Sequence, residues 1–174
     1  MPLEQLLNEA LVMGSLFTTM EVFFTAGISY LHQKSPTQVP LPFHQQKNDV
    51  LRGHSYPIMF VLGALASPYM QYVKPYVESA VSTLGSYAVF AVGICAVEYA
   101  CGKLTDTSSG KINFAPWREV YAYLEQRVKE AFPSTKNIPL TLGKKSVFLP
   151  LLPAWMAVGA FVDYVHGWMQ RTGG

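Results

Sequence analysis

The stretch AVSTLGSYAVFAVGICAVEYAC, residues 80–101, decides the class of this protein. It carries no charged side chain from Ala80 to Val97 and meets its first acid at Glu98. Crossing roughly 30 Å of hydrocarbon takes a helix of about 20 apolar residues, because each residue rises about 1.5 Å. Three other blocks have the same character. Residues 10–31 hold Glu21 as their only charge, residues 56–73 hold none, and residues 146–169 are interrupted only by Asp163 and His166. The composition agrees, with 50% hydrophobic and 14% charged residues, against roughly 25% charged in soluble domains. The expected fold is all-α: one polytopic membrane domain over residues 1–174, with four transmembrane helices at about 10–31, 56–73, 80–101 and 146–169.

Charge gives the expected orientation. The connections after the first and third spans contain Lys34, Lys47, Arg52, Lys103, Lys111, Arg118, Arg127, Lys129, Lys136, Lys144 and Lys145, whereas the other side has Lys74 and Arg171. Basic residues collect on the side from which a membrane protein inserts, so both long connections are expected in the cytoplasm or matrix, with the termini opposite. Glu4 and Glu9 stand near the start and no Lys or Arg precedes Lys34, which is not the pattern of a cleaved secretory signal. Tyr30, Tyr56, Tyr72, Tyr99 and Trp168 fall near the expected span ends, where amphipathic rings meet headgroups.

The connections have contrasting characters. Residues 33–52 contain Pro36, Pro40 and Pro42, which favour extended chain. Near them, His32, His44 and His54 have no acidic or thiol cluster beside them, so no metal is assigned. The third connection opens with the small polar residues from Thr105 to Gly110. After Pro116, the apolar side chains Trp117, Val120, Tyr121, Leu124, Val128 and Phe132 recur at helical spacing. Arg118, Glu119, Glu125, Arg127, Lys129 and Glu130 take the other face. An interfacial amphipathic helix over about 116–132 follows, lying on the membrane or against a partner. Trp117, Arg118, Arg127, Lys129, Lys144 and Lys145 are its candidate lipid or partner contacts. The phospholipid expected there is an anionic one such as cardiolipin.

Within the spans, Glu21, Glu98 and Asp163 stand out, since a charge at the bilayer centre costs about 2.5–3.5 kcal/mol even on the insertion scale. They either line a polar cavity, with His166 as a relay partner of Asp163, or face neighbouring helices that neutralise them. Glu98 and Asp163 fall near the ends of their expected spans, and Glu21 near the middle. Gly14 with Thr18, Gly63 with Ala66 and Ser67, and Gly159 four residues before Asp163 are the small residues that let helices approach closely in lipid. Cys95 and Cys101 lie six residues apart on one expected helix, a rise of about 9 Å, too long for a disulfide.

Nothing in the chain matches a phosphate loop, a dinucleotide fingerprint, a zinc-binding helix or a nucleophile with its base, so no enzyme and no cofactor is expected. The basic connection is mixed with acids, a pattern of topology rather than nucleic-acid binding.

Several segments resemble the small four-helix membrane proteins grouped as type IV ABC-transporter components, among them the animal transmembrane protein 229 proteins. Met20-Glu21-Val22-Phe23-Phe24-Thr25-Ala26 is similar to that family's acid-containing first helix. Val97-Glu98-Tyr99-Ala100-Cys101-Gly102 resembles its Glu-aromatic-x-x-Gly signature, and Leu152-Pro153-Ala154-Trp155 through Asp163 resembles its last helix. Pro116-Trp117 is similar to its Pro-Trp-Asp-Tyr element, with Arg118 and Glu119 here in place of Asp and Tyr. The resemblance implies a shared topology and makes the three acids a feature of the fold. It does not cover the first connection or Ser134 to Lys145.

The expected function is a non-catalytic accessory subunit of a multisubunit membrane complex, packing against other subunits and membrane lipids. An energy-transducing complex of the mitochondrial inner membrane is favoured. The alternative is a small transporter, or the membrane component of one, with a polar path lined by the intramembrane acids.

Overall fold

The computed structural model describes residues 3–34, 57–107, 115 and 117–172, and these are overwhelmingly helical. Helix α1 spans Leu3–Lys34, α4 Thr83–Thr107 and α6 Leu152–Thr172. These three helices are long and apolar enough to cross a membrane. Their apolar side chains are not spent on a core: α6 buries 17% of its most apolar window, and Leu3, Leu7 and Leu11 of α1 are 71%, 55% and 57% exposed at four-residue spacing. A helix that is apolar outside its packing face suits lipid or the apolar face of another protein.

The second expected span is not a single helix. Helix α2 (Pro57–Pro68) gives way to a π-helical turn at Tyr69–Val73 and then to α3 (Lys74–Ala80). Pro68 and Pro75 bracket that turn, and proline removes an N–H and crowds the carbonyl four residues back. The chain widens instead, with the Lys74 N–H reaching the Tyr69 carbonyl. At 12 residues, α2 alone rises about 18 Å, short of the hydrocarbon thickness.

Other boundaries shift as well. Helix α1 begins at Leu3 rather than near Ala10, and α4 runs on through Thr107, so the expected turn at Thr105 starts inside a helix. The last span begins at Leu149 rather than Ser146, because Thr141–Leu142 (β1) pairs antiparallel with Val147–Phe148 (β2). The Ser146 N–H bonds back to the Leu142 carbonyl at 2.9 Å. In the tip of this hairpin Gly143, Lys144 and Lys145 all have positive φ, at 58°, 53° and 69°. Glycine adopts that region freely, whereas it costs a residue with a Cβ roughly 1–2 kcal/mol. The expected extended connection at 35–52, with His44, lies outside the described residues, as does His54.

Although the sequence suggests one membrane domain, the structure groups into two compact units. Unit 1 comprises Met1–Glu21, Ser55–Ile94 and Leu152–Gly174. Met13, Phe17, Leu62, Ala66, Met70, Phe90, Ala91 and Val162 form its core. Gly63 sits against α1 so closely that a Cβ there would collide with the Met13 carbonyl and come within 2.9 Å of the Gly14 Cα. The two glycines thus let backbones touch, the dense contact that holds helices together where the hydrophobic effect does not.

Unit 2 comprises Val22–His54 and Cys95–Leu151 and contains α5 (Arg118–Ala131) and the hairpin. Val120, Tyr121, Ala122 and Tyr123 of α5 are all buried. Four successive buried residues mean that the turn Val120–Tyr123 is enclosed on every side. A helix lying on a surface would bury only a stripe, so the interfacial reading fails for this half of α5. Farther along, Leu124 and Val128 are half-buried and Phe132 is 62% exposed. Cys95 and Cys101 are both free thiols, half-buried and buried respectively.

Candidate functional site

In unit 1 the polar chemistry gathers along α6. Gly159, Asp163, His166 and Gln170 follow one another at spacings of four, three and four, which puts them on one face. Gly159 brings Phe90 close; a Cβ there would meet the Phe90 ring at 2.9 Å. One turn on, Asp163 Oδ2 accepts a hydrogen bond from the Tyr87 hydroxyl at 2.7 Å and lies 3.3 Å from Lys74 Nζ. Lys74 also pairs with Glu78 at 2.9 Å, one turn along α3. The proline-bracketed π-turn ends at Val73, so Lys74 leaves the chain where the helix resumes.

The next turn of α6 builds the tighter cluster. Glu9, only 3% exposed, accepts from the Ser67 hydroxyl at 2.9 Å, faces His166 Nδ1 at 3.0 Å and accepts from the Gln170 amide. Both carboxylate oxygens are thereby served. Ser67 is fully buried at the end of α2, and His166 is 9% exposed. Between α1 and α6 an open cleft of about 440 Å³ reaches this cluster, with Glu4, Gln5, Asn8, Glu9 and Thr172 among its lining. His166 therefore partners Glu9, whereas Asp163 partners Tyr87 and Lys74. Glu21, 8% exposed on α1, is engaged in an interaction of its own.

Unit 2 arranges its polar groups differently. The Tyr121 hydroxyl pairs with Glu98 Oε1 at 2.5 Å. Among the described residues Glu98 Oε2 has no hydrogen-bond partner, although the residue is only 3% exposed. Helix α4 continues for more than two turns beyond Glu98, so the residue does not sit at the end of its helix as the expected span had it.

The organising group is Arg118. Its Nε donates to Ser146 Oγ at 2.8 Å, Nη1 to Asp106 Oδ1 at 3.0 Å, and Nη2 to the Gly102 carbonyl at 2.8 Å. Trp117 Nε1 donates to the Ser146 carbonyl at 2.7 Å, and Ser146 Oγ donates to the Gly143 carbonyl at 2.6 Å. A planar guanidinium suits such a node, because its donors have fixed directions. At Gly102 a Cβ would overlap the Ser146 hydroxyl and crowd Arg118.

The six candidate contact residues separate accordingly. Trp117 and Arg118 are committed inside unit 2. Arg127 pairs with Glu130 at 2.7 Å and Lys129 with Glu125 at 2.9 Å, each within α5. Lys144 is 76% exposed with Asp106 at 3.6 Å, and Lys145 is exposed. Outside the spans, Glu125 is held below the usual carboxylate value: burial opposes its charge, but hydrogen bonds from Lys129 and Thr141 outweigh it.

Sequence reasoning overlooked Glu9, Lys74, Tyr87 and Ser67 as members of the unit 1 networks. Glu9 stands one residue before the first expected span, and the spacing of α6 could have called for an acceptor opposite His166. Searches against family models, curated proteins and solved structures returned no match to this chain.

Proposed function

We propose that this protein is a membrane-embedded, non-catalytic structural subunit of a larger membrane complex. One observation carries the reading: the polar cluster at Glu9 is buried and its groups bond to one another. Ser67, His166 and Gln170 all serve it. Polar residues that bond to one another between apolar helices act as glue, and the rest of each long helix offers lipid or a partner an apolar exterior. In this reading α2, the π-turn and α3 together make a fourth crossing, kinked at the prolines. The basic connections face the cytoplasm or matrix, and the topology is that of the transporter-component family its segments resemble.

The test is a native gel of membranes solubilised in mild detergent, with the chain tagged at its C-terminus and each band identified by mass spectrometry. Co-migration with a large, defined set of subunits is expected. Migration solely as a monomer or small oligomer would remove the proposal.

A second reading has its own observation. Two titratable networks, Lys74 with Asp163 and Tyr87, and Glu9 with His166, lie one turn apart on the same face of α6. Stacked groups of this kind can pass a proton, which would make the chain a small transporter. Ion flux in reconstituted vesicles separates the two.

A further inference from the structure

Once internally paired groups are set aside, unit 2 leaves a short segment whose charges and apolar side chains have no use inside the fold. From Ala131 to Val162 the chain contains no acid. Within it Lys136, Lys144 and Lys145 are exposed, as are Phe132 at 62%, Ile138 at 50% and Leu142 at 47%. Three large apolar residues in water, interleaved with three ammonium groups, match a surface that is apolar a little way in and anionic on top.

The hairpin tip strengthens the assignment. Lys144 and Lys145 occupy left-handed backbone, at φ 53° and 69°, where glycine would sit without strain. Gly143 takes the same conformation beside them, so the turn itself did not require lysines at the next two positions. Lys144 has only Asp106, at 3.6 Å and already bonded to Arg118. Lys145 is attracted toward Glu125, which Lys129 already neutralises. The apolar segment that includes α6 begins at Leu149. The four residues that follow Lys145 to that point reach at most about 14 Å, which holds both ammonium groups near the level where the helix meets headgroups.

We propose that the segment Phe132–Lys145 docks onto anionic phospholipid, with Lys144 and Lys145 on the phosphates and Phe132, Ile138 and Leu142 seated among the upper acyl carbons. The proposal rests on α6 crossing the membrane. Of the six expected contacts it keeps Lys144 and Lys145, adds Lys136, and drops Trp117, Arg118, Arg127 and Lys129, whose polar groups are engaged within unit 2.

The test uses the full chain in vesicles containing equal amounts of phosphatidylcholine and phosphatidylglycerol, with one or the other lipid brominated. An environment-sensitive fluorophore is attached at Ile138→Cys, or separately at Phe161→Cys in α6, and labelling of the unsubstituted chain is subtracted. Brominated phosphatidylglycerol is expected to quench the Ile138 probe several-fold more than brominated phosphatidylcholine. In Lys144→Gly/Lys145→Gly that preference should fall toward parity, by up to roughly fivefold for each lysine. Glycine accepts positive φ, so this variant should melt no lower than the parent chain. Equal quenching by the two lipids, or a preference that survives in the glycine variant, overturns the proposal. So does an unquenched Ile138 probe alongside a quenched Phe161 probe, which would place the segment in water or on a protein. An unquenched Phe161 probe would instead remove the reading of α6 as a span, and the docking proposal with it.

Discussion

Glu9 in unit 1 and Glu98 in unit 2 are equally buried, each 3% exposed, yet they are served very differently. Among the described residues Glu9 has three side-chain partners, whereas Glu98 has Tyr121 on one oxygen and nothing on the other. Unit 1 is organised around an acid; unit 2 is organised around Arg118, which bonds Asp106 and Ser146 rather than Glu98. Burial alone does not say which carboxyl holds a structure together. The number of groups left stranded by its removal does, because a stranded buried polar group loses its solvation as well as its bond.

That contrast breaks most readily at Glu9. Glu9→Ala takes the shared carboxylate from Ser67 and His166, removes one of the bonds of Gln170, and should cost about 3 kcal/mol. Glu98→Gln keeps an oxygen for Tyr121 and should cost less than about 1 kcal/mol. Thermal unfolding of both variants in the same detergent checks the pair; equal losses would mean that partner number is not what counts.

In unit 2 the larger loss is expected at Gly102→Ala, whose added carbon displaces Ser146 and Arg118, at about 2 kcal/mol. A melting curve that leaves the parent's midpoint unchanged would show that the Arg118 node is not tight. Arg118→Lys retains the charge but loses the fork that spans Asp106, Ser146 and Gly102, for about 1.5 kcal/mol. Urea titration of the two variants should rank them in that order.

The smallest effect is a pH dependence at Glu125. Its folded-state pKa lies below its ordinary value of 4.5, so it contributes stability above that value. The contribution is lost as pH falls through the lowered folded pKa. Melting points of the parent should therefore drop below pH 4.5 more steeply than those of Glu125→Gln. Parallel curves for the two would remove Glu125 from the account.

Much of the fold is legible in the residues. Apolar runs of spanning length, each broken by one or two acidic or histidine side chains, mark α1, α4 and α6, and the small residues around Gly14, Gly63 and Gly159 mark where helices approach. The π-turn was hidden because prolines signal a break without saying whether the chain kinks, frays or widens. The hairpin was hidden because Lys144 and Lys145 are unexpected in left-handed backbone, where the strand pairing and the bonds of Ser146 close the turn. For the candidate site, periodicity along α6 puts Asp163 and His166 on one face. It could not give their partners, which come from α1, α3 and α4. Arg118 was misread as outward-facing because a basic residue in a connection is usually solvated. Gly102 and Ser146, distant in sequence, turn it inward.

The central claim is that the polar clusters of unit 1 hold helices together rather than conduct. Proton flux into vesicles containing the purified chain, driven by a pH gradient and a membrane potential, tests that claim most directly. Flux indistinguishable from protein-free vesicles is predicted, for the parent and for Asp163→Asn alike. A flux in the parent that disappears in a folded Asp163→Asn variant would contradict it.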